Sequence, residues 1–118
     1  MSNPRQIAVN ALLKVEADDA YSNITLNKLL SDSDLTKLDK ALCTSIFYGV
    51  LERKITIEYV LSQFVKTHIN KIKPFTLTVL RSAIYQIMYM DKIPNSAAVN
   101  ESVNLIKRSK ESFNSGFV

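Results

Sequence analysis

The stretch PFTLTVLRSAIYQIMYM, residues 74–90, decides the fold class. Pro74 suits the first position of a helix, because its missing N–H would have no intrahelical partner there and its φ is already helical. At 100° per residue, Leu77, Leu80, Ile84, Ile87 and Met88 gather on one side, with Val79, Ala83 and Met90 beside them. Apolar groups thus cover about half of the circumference, which predicts a central helix rather than a surface one. The remaining arc carries Arg81, Tyr85 and Tyr89 at successive i+4 steps, with Thr78, Ser82 and Gln86 alongside.

Working outward, Pro94 forces a turn after Met90, and Asn95 or Ser96 is expected to cap a last helix with Val99, Val103 and Ile106 inward. Lys107, Arg108 and Lys110 close that helix, where cations suit the dipole. At the other end of the chain, Asn3 caps a helix opened by Pro4, with Ile7, Ala8, Ala11, Leu12 and Val15 on one face and Gln6 and Asn10 opposite. A short helix carrying Ile24, Leu26, Leu29 and Leu30 follows the Tyr21-Ser22-Asn23 cap. Thr36 and Asp39 then stand three apart like a capping box. The helix that they open is read with Leu38, Ala41, Leu42, Ser45, Ile46 and Gly49 on one stripe. Gly49 costs about 1 kcal/mol against alanine in a helix interior, which points to close helix contact at that position. The β-branched run Ile55-Thr56-Ile57 predicts a kink or break near Arg53, before Tyr59 to Val65 resumes the pattern. The expected architecture is all-α, a bundle of five to seven helices.

Composition agrees with this reading and removes whole classes of function. The 118 residues include only two glycines, Gly49 and Gly116, so the closely spaced glycines of a phosphate-cradling loop cannot occur and hairpin-rich architectures are disfavoured. The single cysteine, Cys43, and single histidine, His68, exclude an internal disulfide, a multi-cysteine zinc site and a two-histidine metal site. No run approaches the ~18 apolar residues of a membrane span, and a cytoplasmic location is expected. The net charge of +4 is unevenly spread. Residues 1–52 hold five Lys/Arg against seven Asp/Glu, while residues 53–118 hold ten against four. A basic half suggests a polyanionic partner such as RNA.

No catalytic constellation is legible. Cys43 reads as a small buried apolar group, and His68, in a loop with Lys66, Lys71 and Lys73, has no carboxylate or nucleophile motif beside it. Asn100-Glu101 reads as a hydrogen-bonding pair beside the core stripe of the last helix. The Arg81, Tyr85, Tyr89 stripe has two readings: a surface that stacks unpaired bases and holds phosphate, or a cation-π pair at a helix packing seam.

Several segments resemble the RsmB/Sun family of bacterial ribosomal RNA cytosine-C5 methyltransferases. They are Arg5 with Ala8 and Leu12, Tyr21-Ser22-Asn23 with Leu26, and Tyr48-Gly49-Val50-Leu51-Glu52-Arg53-Lys54. Further along come Leu80-Arg81 with Tyr85-Gln86, Met90-Asp91-Lys92-Ile93-Pro94, and Ala97-Ala98-Val99-Asn100-Glu101 with Val103. The resemblance implies a NusB-like all-α fold for residues 1–118, as a single RNA-binding domain cut from a longer methyltransferase, with Gly116-Phe117-Val118 beginning a further helix. It implies small-subunit ribosomal RNA as partner, together with a separate C-terminal catalytic domain that would bind S-adenosylmethionine; these residues themselves hold no cofactor. A ribosomal protein is a further expected partner, and a membrane is not.

Arg5 matches the arginine that NusB-like proteins present near the start of their first helix. Arg53, Lys54, Arg81, Lys107 and Arg108 are added as RNA-binding candidates for their charge and expected exposure. Two alternatives stay open: a standalone NusB-type antitermination factor, and a helical protein-interaction module anchored by exposed Tyr85 and Tyr89.

Overall fold

The architecture follows from two helices that are each buried on more than one side. A computed structural model describes residues 3–18, 22–64 and 72–108. These contain α1 (Pro4–Asp18), α2 (Ser22–Ser31), α3 (Lys37–Glu52), α4 (Lys54–Phe64), α5 (Pro74–Tyr89) and α6 (Asn95–Lys107), with no strand among the described residues. α5 packs against α1, α3, α4 and α6, and α1 packs against α2, α3, α5 and α6.

Local chemistry sets the helix ends. The Asn3 Oδ1 accepts from the N–H groups of Arg5 at 2.9 Å and Gln6 at 3.2 Å, satisfying two orphan donors of α1. The Thr36 Oγ1 accepts from the Asp39 N–H at 3.2 Å and starts α3. The break near Arg53 is a single residue wide, so Ile55, Thr56 and Ile57 lie inside α4 rather than interrupting it. Their buried member, Ile57, is fully enclosed, and that tertiary contact outweighs weak helix propensity. α6 is capped by Pro94 in extended conformation, not by Asn95 or Ser96, both of which are already helical.

The main core joins Ala8, Ala11 and Leu12 of α1 to Leu26 of α2, Cys43, Ile46, Phe47 and Val50 of α3, and Ile57 of α4. A second cluster lies on the other side of α1, where Val9 meets Val79, Leu105 and Ile106.

Several facing assignments are corrected. On α5 the polar arc is buried: Thr78, Ser82 and Gln86 are at most 2% exposed, while Ile87 and Met88 are 41% and 42% exposed. Four packing partners leave α5 little free surface, and its hydroxyls tolerate burial by bonding to carbonyls within the helix, Thr78 to Pro74 at 2.9 Å and Ser82 to Val79 at 2.9 Å. On α3 the buried stripe is Cys43, Ile46, Phe47 and Val50, so Leu38, Ala41 and Ser45 face solvent. On α2, Ile24 is exposed. On α6 the inward residues are Ala98, Ser102, Leu105 and Ile106, with Val99 and Val103 half-buried. Small groups at Ala98 and Ser102 let that helix approach its neighbours closely.

Cys43 is fully buried, and desolvation pushes its thiol up from 9.0 to about 11. The folded state therefore resists forming the thiolate that the unfolded chain forms readily above pH 9. Stability from this site is complete below that pH and is lost as pH rises through about 11. Urea unfolding should show the unsubstituted chain losing about 2 kcal/mol more than Cys43→Ala between pH 8 and pH 10.5. Equal losses in the two proteins would contradict it.

Candidate nucleic-acid interface

The cationic residues singled out above fall into three places. Arg5, in the first turn of α1, donates from Nε to the Gln86 Oε1 at 2.7 Å, and the Gln86 Nε2 donates to the Ser82 carbonyl at 3.1 Å. Arg53, at the junction of α3 and α4, places its guanidinium carbon 4.8 Å from the centroid of the Tyr89 ring. Arg5 and Arg53 therefore both meet the last turn of α5, through Gln86 and Tyr89. Lys92, exposed in the turn that follows, adds a cation at that end.

Earlier on α5, Arg81 is held between two carboxylates. Its Nε donates to the Glu58 Oε1 of α4 and its Nη1 pairs with the Glu16 Oε2 of α1 at 3.4 Å, leaving the side chain 15% exposed. Arg81 and Lys54 both line a cavity of about 320 Å³, whose apolar part is Leu12, Val15, Val50 and Leu51. With two carboxylates on one guanidinium, Arg81 ties α1, α4 and α5 together rather than offering charge to a ligand.

Lys107 and Arg108 are exposed at the end of α6. α6 runs back along α5, and its last apolar residues, Leu105 and Ile106, pack with Val79 and Phe75 in the first half of that helix.

The tyrosine stripe is also rearranged. Tyr85 is half-buried with the end of its ring against Gly49, so a Cβ at position 49 would overlap the ring. The predicted close contact at Gly49 is real, but its partner is a tyrosine ring rather than another backbone. The Tyr89 ring lies 5.4 Å from the Tyr85 ring at 31°. A cation-π pair does sit at this seam, with Arg53 as the cation in place of Arg81. Half-buried Tyr85 is poorly placed as an exposed anchor for a protein partner.

Sequence reading missed Gln86, Glu16 and Glu58 as the groups that position the arginines. Gln86 lies 81 residues from Arg5, so no local motif announces the bond. Lys66, His68, Lys71, Lys110 and the Gly116 to Val118 ending lie outside the described residues. Among the described residues no three His, Cys, Asp or Glu side chains gather as a metal site, and no helix is long and apolar enough to cross a membrane.

A NusB family model matches residues 2–118. The chain is 38% identical over 103 residues to a probable ribosomal RNA small subunit methyltransferase B of Bacillus subtilis, covering 87% of this chain and 23% of that protein. It is 33% identical over 105 residues to the transcription antitermination protein NusB of Ruminiclostridium cellulolyticum, covering 88% of this chain and 72% of that protein. The structure of Thermotoga maritima NusB superposes with a TM-score of 0.80 at 24% identity, covering 99% of this chain and 89% of that one. The chain thus spans about a quarter of the length of the methyltransferases it matches and most of the length of the antitermination proteins.

Proposed function

The chain belongs to the NusB family, and on that premise we propose that it is an RNA-binding module serving transcription antitermination, engaging single-stranded RNA through the end of α5 flanked by Arg5 and Arg53. The observation that carries this reading is the convergence of those two cations on Gln86 and Tyr89, with Lys92 exposed in the turn that follows α5. A guanidinium has five N–H donors, and the bond to Gln86 uses one of those on Arg5, fixing the group while leaving it donors for phosphate. The likeness to NusB over 72% of that protein's length supports the antitermination role.

A second reading places the chain as the RNA-positioning part of an S-adenosylmethionine-dependent 16S ribosomal RNA (cytosine-C5) methyltransferase. It is favoured by the 38% identity to the Bacillus subtilis protein. These residues do not fit the cofactor or the chemistry. They contain no glycine-rich loop, and Cys43, which would have to add to the cytosine ring, is buried with its thiol pushed up to about 11. In that reading the chain contributes binding, and the methyl transfer belongs to a catalytic domain.

Both readings require electrostatic RNA binding. With three to five phosphates neutralised, affinity for a single-stranded RNA should fall roughly 20- to 100-fold between 50 and 200 mM salt, a slope of about −0.7 per contact. Exchanging Arg53 and Lys54 together for glutamine should shorten the slope by about 1.4 units, whereas the same exchange at Lys107 and Arg108 should leave it unchanged. Salt-independent binding would defeat the proposal. Deleting the gene separates the two roles: premature termination of transcripts marks antitermination, and loss of a 5-methylcytosine from small-subunit ribosomal RNA marks the methyltransferase.

A further inference from the structure

Two arginines lie beside the tyrosines of α5, and their electrostatic situations are opposite. Arg81 is held between two carboxylates. Arg53 is exposed, and no carboxylate among the described residues pairs with it. Its guanidinium is nonetheless held in place over the Tyr89 ring at 4.8 Å. Both members of that pair are anchored from behind. The Arg53 N–H donates to the Gly49 carbonyl at 3.0 Å and its own carbonyl accepts from the Ile57 N–H at 2.9 Å. Tyr89 leans on Tyr85, whose ring is lodged against Gly49.

The result is a planar, uncompensated cation supported by an aromatic ring at an exposed helix junction. We infer that the Arg53–Tyr89 pair is a stacking platform for one unpaired nucleobase, an assignment that rests on the RNA-binding reading above and names the element of the ligand that this site takes. Bases stack on aromatic rings and on guanidinium planes alike, and such contacts tolerate any base because each has a π-face. Arg5, bonded to Gln86 in the same last turn of α5, supplies a donor for the neighbouring phosphate. Charge alone would be served equally well by lysine, whereas stacking needs the guanidinium plane.

The test uses the full chain and a single-stranded oligoribonucleotide in which 2-aminopurine replaces one base at a time. Binding should quench the probe at one position. Arg53→Lys, which keeps the charge and removes the plane, should abolish that quenching and weaken binding roughly 5- to 150-fold with the salt slope unchanged. Tyr89→Phe should retain both quenching and affinity. Salt-dependent binding with no quenched position, or Arg53→Lys behaving as the unsubstituted chain, overturns the stacking site alone. Absence of salt-dependent binding by the unsubstituted chain overturns the RNA reading and this site with it.

Discussion

Phe47→Ala lowers the unfolding free energy by about 3–5 kcal/mol. Phe47 heads the fully buried side chains by volume, and its ring meets Tyr48 edge-on at 5.0 Å and 81°. It projects from α3 into the main core, where α1 presents Ala8 and Ala11. Those methyl groups cannot extend into the space a deleted ring leaves, so the cavity persists and its cost adds to the lost transfer energy. A domain of this size has about 5–15 kcal/mol in total, so the urea midpoint should fall by about a fifth or more with little change in slope. Leu38→Ala, at an 81% exposed position of the same helix, should stay within about 0.5 kcal/mol. A loss below about 1 kcal/mol for Phe47→Ala would show that the core closes over the site.

Gly49→Leu costs about 3 kcal/mol, at the upper end of overpacking effects, even though leucine is the better helix former by nearly 1 kcal/mol. The new Cβ would overlap the end of the Tyr85 ring, so the ring must leave its place and lose its contact with Tyr89. Tyrosine is stiff, with two side-chain torsions, and cannot yield by a small adjustment. A reversal of sign isolates this cause. Gly49→Ala should destabilise the unsubstituted chain by about 1 kcal/mol and stabilise the Tyr85→Ala chain by up to about 1 kcal/mol, because only helix propensity remains once the ring is gone. Thermal unfolding of the four proteins measures both steps. The same sign in both backgrounds would mean that the ring does not set the requirement for glycine.

The helix plan was legible before any coordinates because it depends on local chemistry. Asn3, Thr36 and Pro74 mark starts through orphan N–H groups, and Arg53 marks a break. Which side of each helix is buried was less legible. Periodicity assigns a single apolar face, but α1 and α5 are packed on several sides, so Val9, Thr78, Ser82 and Gln86 are buried against that rule. Leu38 and Ile24 fall on predicted inward stripes yet face solvent, because α3 buries Cys43, Ile46, Phe47 and Val50 and α2 buries Leu26 instead.

The candidate site shows the same division. Arg5, Arg53 and Lys54 were recognisable as cations on a helical scaffold, and their charge requires no partner to be read. That Arg81 is enclosed by Glu16 and Glu58, while Arg53 lies over Tyr89, could not be read from spacing. These pairs span separate helices, and a residue's availability depends on what the other helices bring to it.

The sequence by itself therefore determined the all-α class, the helix boundaries to within a few residues, the requirement for close contact at Gly49 and the basic character of the second half. Each of these follows from backbone sterics, hydrogen bonding within one turn, or summed charge. Tertiary structure alone decided which tyrosine fills the Gly49 notch, which arginine is neutralised and which stays available. Those outcomes rest on how α1, α3, α4 and α5 are brought together, and the contacts involved join residues too far apart in the chain for any local pattern to encode them.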